Sequence, residues 1–161
     1  MTAQEEVLQT VRHIQSVSQQ YLAGDPAPFQ ACWSHGEDVT LCGGWGAYER
    51  GWAHVEPRLA WGATRYRGGH MDFELVSLMV HGDLAYTVWI ERGEVRVSEQ
   101  DELHPSALRV TQIYRREAAN WKIIHRHAMR PGERRRCSSG ITRPQHPRVA
   151  AAACGSLRCL R

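Results

Sequence analysis

The chain has 161 residues, 42% hydrophobic and 23% charged, enough for one domain around a single core and too few for two. No apolar run reaches the roughly 18 residues of a membrane-crossing helix, and the opening Met1-Thr-Ala-Gln-Glu-Glu6 lacks the basic start and apolar stretch of a signal peptide. A cytoplasmic protein without a membrane partner is expected. The net charge of +3 conceals two unlike parts, since eight arginines against one acid from Arg130 onward make +7 and leave −4 for the rest. The basic character belongs to the tail, so nucleic acid is not the expected partner of the fold.

From Gln4 to Leu22 the residues Val7, Leu8, Val11, Ile14, Val17, Tyr21 and Leu22 recur at spacings of three and four, the pattern of an amphipathic helix stopped by Gly24. Asp25-Pro26 then opens a short second helix over Pro28 to Trp33. Val39 to Cys42 reads as a strand broken by Gly43-Gly-Trp-Gly46, and Trp52 to Thr64 as a third helix that tolerates Pro57 near its start. Met71 to Val80 and Leu84 to Val97 are strands joined by the turn His81-Gly-Asp83. After a polar loop from Ser98 to Pro105, Leu108 to Arg116 and Trp121 to His127 close the domain as a hairpin. Helices first and strands afterwards predict an α+β domain over residues 1–129, three N-terminal helices packed on a curved antiparallel sheet. Residues 130–161, rich in Arg, Pro and Ala, have no apolar period and predict a disordered tail.

The five cysteines, Cys32, Cys42, Cys137, Cys154 and Cys159, form no C-x-x-C pair, so isolated thiols are expected, with no disulfide framework, metal or cofactor.

Several of these features together resemble the nuclear transport factor 2-like superfamily, in its SnoaL-like and ketosteroid-isomerase-like branch. They are Tyr21-Leu-Ala-Gly-Asp25 ending the first helix, Asp38-Val-Thr-Leu41 before the glycine break, and the hairpin ending Trp121-Lys-Ile-Ile-His-Arg-His127. The resemblance implies a conical fold whose sheet wraps the first helix and encloses a pocket, with homodimerisation through the outer sheet face. It implies no single reaction. Ketosteroid isomerases use a tyrosine, a base aspartate and a protonated acid; the corresponding positions fall near Val17, Gly43 and Gln112 and supply neither phenol nor carboxylate.

Strand alternation puts Trp121, Ile123, His125 and His127 on one face and Lys122 and Arg126 on the other. Histidine titrates nearest neutral pH, which makes His125 the candidate acid or base. A two-residue turn sets Gln112 opposite His125 and Tyr114 opposite Ile123, whereas a three-residue loop brings Thr111 and Arg109 onto the histidine face. Glu91 shares a face with Thr87 and Trp89; it is either a solvated edge residue or an inward acid needing Arg109 or a histidine as partner. Trp45, inside the glycine break, is read as a gating or packing aromatic at the mouth. His127, Trp45, Trp89, Glu91, Arg109, Gln112 and Tyr114 are thus the candidate binding residues around His125. The expected function is a pocket protein, an isomerase, cyclase or dehydratase acting on a small hydrophobic molecule by histidine-mediated proton transfer. The alternative is a non-catalytic binding or dimeric assembly module.

Overall fold

In the computed structural model, residues 1–46, 48–97 and 102–131 are described. The chain runs α1 (Ala3–Leu22), α2 (Ala27–Gln30), β1 (Thr40–Cys42), β2 (Tyr48–Arg50), α3 (Trp52–Thr64), β3 (Tyr66–His81), β4 (Leu84–Val97), β5 (Leu103–Glu117) and β6 (Asn120–Met129). The expected order of helices and strands is present, with β2 added after the glycine break and β3 beginning five residues early. Most of the expected tail, from residue 132 on, lies outside the described residues, as do Cys137, Cys154 and Cys159; Cys32 and Cys42 are free thiols.

Helix α1 starts on a capping box, in which Thr2 Oγ1 accepts from the Glu5 amide and the Glu5 carboxylate from the Thr2 amide. Its apolar stripe of Val7, Val11, Ile14 and Val17 is buried in one core with Trp89, Val110, Tyr114, Trp121 and Ile123 from the sheet. Burial of that stripe, at about 1.5–3 kcal/mol per large side chain, is what fixes the helix against the strands.

The sheet has six strands in the order β2-β1-β6-β5-β4-β3. All neighbours are antiparallel except β1 and β6, which run parallel. Ahead of β1, the Ser34 amide donates to Ile123 O and the Ile123 amide to Cys32 O, so the segment after α2 is also tied to β6. Three irregularities bend the sheet around α1: Tyr66 to Gly69 and Leu75 to Ser77 on β3, and one on β6 opposite the step from Ile113 to Tyr114. A bulge inserts one unpaired residue and sharpens the local twist.

The bulge on β6 decides the site. Next to the turn, Arg116 pairs with Trp121 and Tyr114 with Ile123, the register of a two-residue connection. Ile124 is then skipped, and Ile113 pairs with His125, Gln112 with Arg126 and Thr111 with His127. Both registers compatible with the sequence are therefore realised, one in each half of the hairpin. One extra residue exchanges the faces of everything beyond it, because strand side chains alternate with period two.

The two-residue turn itself carries strain: Ala118 has φ 52°, a conformation in which a Cβ crowds the following carbonyl. Ala118→Gly should raise stability by about 1 kcal/mol, read as a higher urea midpoint at unchanged m-value. A lower midpoint would show that the entropy of the added glycine outweighs the relieved strain.

Candidate functional site

The inner face of the sheet, α1 and α3 enclose a cavity of about 110 Å³. Its body is apolar, with Phe29, Leu59, Met71, Phe73 and Leu108 among the lining side chains; its polar groups include Tyr21, Tyr66, Glu91 and Arg126. Glu91 comes from β4 on the same face as Thr87 and Trp89, all three buried. Arg126 comes from β6 just past the bulge, turned inward by it. One nitrogen, Nη2, donates to both carboxylate oxygens of Glu91 at 2.9 and 3.0 Å. The guanidinium also sits 5.8 Å from the centre of the Phe29 ring, within cation–π range.

Two phenols border this pair. Tyr21, from the last turn of α1, donates to Leu59 O on α3 at 2.9 Å. Burial pushes its pKa up, as it does that of Tyr66, so both are neutral donors at ordinary pH. Tyr66 OH accepts from Trp45 Nε1 at 3.2 Å, and its own proton has no acceptor among the described residues. Gly62 makes room for this arrangement, since any Cβ there would collide with the Tyr21 hydroxyl.

The candidate residues divide into three groups. Trp45 and Glu91 line the cavity. Trp89, Gln112 and Tyr114 lie on the same inner face but in the core, where Tyr114 OH donates to Gln112 Oε1 at 2.7 Å and pairs with Thr87 Oγ1 at 3.0 Å. His125, His127 and Arg109 are on the outer side. His125 Nδ1 shares a hydrogen bond of 2.7 Å with Thr40 Oγ1, His127 is exposed opposite Thr111, and Arg109 reaches Met129 Sδ. The expected facing of the last strand is corrected accordingly: beyond Ile124 the histidines turn out and Arg126 turns in. Glu91 is inward, and its partner is Arg126 in place of Arg109 or a histidine. Among the described residues, no three His, Cys, Asp or Glu side chains gather as a metal site requires.

Tyr21, Arg58, Tyr66, Arg126 and Arg130 are among the lining residues that the sequence left unmarked. Arg126 was placed with Lys122 on the outer face, because strict alternation pointed it the wrong way.

Partial burial, with His127 adding a smaller repulsion, holds the His125 pKa below its ordinary 6.5. The unfolded chain therefore binds more protons than the folded one between the two values. The contribution of neutral His125 is complete above the unfolded pKa and is lost as pH falls toward the folded one. His125→Gln should flatten that acid-side loss when thermal midpoints are compared at pH 7.5 and 5.5. An identical decline in wild type and variant would place the acid sensitivity elsewhere.

Residues 12–129 match the SnoaL-like domain family. No curated protein matches the sequence. Among solved structures, a nuclear transport factor 2-like superfamily protein from Salmonella enterica serovar Typhimurium is similar at 14% identity and TM-score 0.68, over 86% of this chain and 96% of that one. A ketosteroid isomerase-like protein from Erwinia carotovora atroseptica is similar at 14% identity and TM-score 0.65, over 79% and 95%. A nuclear transport factor 2-like protein of unknown function from Pseudomonas putida shares 23% identity at TM-score 0.62, over 80% and 87%. Such identities speak for the fold alone, and the α+β cone of helices on a curved sheet is the fold they share. With 118 consecutive residues matched and a nuclear transport factor 2-like fold around the inner cavity, the chain belongs to the SnoaL-like domain family.

Proposed function

We propose that the protein holds a compact, largely apolar small molecule in the cavity between α1, α3 and the sheet, with the Glu91–Arg126 pair as the polar end of the site. The pair itself carries this reading. Its side chains are 7% and 14% exposed, and stability gives little reason to keep two charges in an apolar interior, because desolvation offsets their attraction. A few convergent polar groups in an otherwise apolar concavity are the usual makeup of a ligand site. The volume of about 110 Å³, below the roughly 300–1,000 Å³ of drug-sized sites, favours a single-ring molecule over one of steroid bulk.

Isomerase, cyclase or dehydratase chemistry needs an acid or base within reach of the bound molecule. Glu91 lines the cavity and His125 does not, so in this reading the proton-transfer role passes from the histidine to the carboxylate, with Tyr66 as neutral donor. Ligand-observed NMR with compact aromatic and alicyclic compounds tests the binding. Some should bind, and Leu108→Trp, which fills the cavity beside Gly44, should abolish binding while the protein stays folded. A screen without any binder, or binding indifferent to that substitution, would exclude the reading.

A homodimer through the outer sheet face belongs to the same proposal. Val88 and Ile90 alternate with buried Thr87, Trp89 and Glu91 and so turn outward, while on the edge strand β3 Met79, paired with Tyr86 on that side, is 52% exposed and Val76, in the bulge, 58%. Apolar side chains left open along a sheet favour a cover. Light scattering at tens of micromolar should return twice the chain mass, and a monomer would remove the idea.

A further inference from the structure

The geometry points to an organic anion, an aryl or alicyclic carboxylate, as the occupant of the cavity. The inference rests on the pocket reading and adds the charge of the ligand. Three arginines, Arg58, Arg126 and Arg130, line the cavity against one acid, Glu91, among the described residues. The lining therefore carries a net +2, although the protein body as a whole is negative.

The donors match that charge. Arg126 spends only Nη2 on Glu91; its Nε and Nη1 donate to no described residue. Both bidentate forks of a guanidinium share Nη2, so Nε and Nη1 stay open as separate charge-assisted donors to anionic oxygens. Tyr66 OH, also on the cavity wall, has a proton to donate. Open donors on the wall of an enclosed site call for an occupant rich in acceptors.

The mouth is cationic as well. Arg58 stacks 4.1 Å over the Trp61 ring and donates from Nη2 to Gly46 O at 3.0 Å. Arg130 lies 5.4 Å from the centre of the Trp45 ring. The two arginines thus bracket the Gly43–Gly46 segment at the entrance, where a cleft of one sign draws in ligands of the other. Deeper in, Phe29, Phe73 and Met71 offer an apolar sleeve for a ring. An anionic head on the arginines and a ring among these side chains satisfy both halves of the site.

Benzoate and benzamide have nearly the same shape and differ in charge, which makes them the probes. By calorimetric titration of the full chain, benzoate should bind at least about tenfold more tightly than benzamide, and the preference should shrink in about 0.5 M salt. Glu91→Gln removes the internal competitor for Arg126 while leaving it an acceptor, so it should tighten benzoate severalfold; mere structural damage would weaken it. The double variant R58Q/R130Q should weaken benzoate at least about threefold and leave benzamide unchanged. It also carries the test if Glu91→Gln fails to fold. Equal binding of the two probes, or a benzoate preference untouched by R58Q/R130Q, would overturn the anion inference while the pocket reading stands. If neither probe nor any compound of the wider screen binds the folded protein, the pocket reading itself falls.

Discussion

Arg126→Met is expected to destabilise the protein by about 3–5 kcal/mol, the cost of leaving a buried charge without its partner. Glu91 is buried between Trp89 and the cavity, and both of its oxygens take their hydrogen bonds from the one guanidinium nitrogen. Removing the arginine strands the carboxylate in an apolar wall, where it must either stay charged without compensation or take up a proton. The thermal midpoint should fall on the order of 10–20 °C for a domain of this size. The double variant Glu91→Leu/Arg126→Met should recover most of the loss, since an apolar pair of similar volume packs as well as the ions did. Midpoints near wild type for the single variant would mean that solvent reaches the pair freely.

Gly93→Ala is expected to cost about 2–3 kcal/mol and to loosen the cavity. A Cβ on Gly93 would collide with His70 O and lie 2.9 Å from His70 C and 3.0 Å from Met71 Cα, all of them backbone atoms of β3. No side-chain rotation relieves such a contact, so β3 must move away from β4 at the point where Met71 and Phe73 reach the cavity. Gly62→Ala makes an informative contrast. Its added methyl meets only the Tyr21 hydroxyl, a side-chain tip that can give way, so stability should fall less while ligand affinity falls through loss of the Tyr21 to Leu59 bond. Equal destabilisation by the two substitutions would contradict this distinction between backbone and side-chain crowding.

The elements were legible in the sequence because each is specified locally. The spacing of Val7, Val11, Ile14 and Val17 makes α1 a helix with one buried stripe, and the helical recurrence of Trp52, Val55, Leu59 and Ala63 marks α3 despite Pro57. Leu84 to Val97 is bounded by its own turn residues. The order of these elements, with Tyr21 to Asp25 and the final hairpin, was sufficient for the SnoaL-like family. Strand β2 escaped notice because three residues without alternation, Tyr48 to Arg50, carry no period of their own; they are a strand only because Leu41 and its neighbours offer an edge.

The site was legible only in part, and for one physical reason. Which residues sit on β4 and β5 determines that Thr87, Trp89, Glu91, Gln112 and Tyr114 share a face, since those strands pair without slip across that stretch, and the sequence by itself settled their common side. What faces them from β6 depends on whether one residue is skipped, and nothing local to Trp121 to His127 specifies that. The skip at Ile124 is decided by packing from outside the hairpin: the Cys32 to Ser34 segment is bonded to Ile123 above it, and β1 runs parallel to His125, Arg126 and His127 below it. With Ile124 unpaired, Ile123 stays in the core, Arg126 reaches Glu91, and His125 meets Thr40 on the outside. Alternation along a strand determined the faces up to the bulge; beyond it, only the tertiary contacts of a neighbouring strand decided whether an imidazole or a guanidinium would face the cavity.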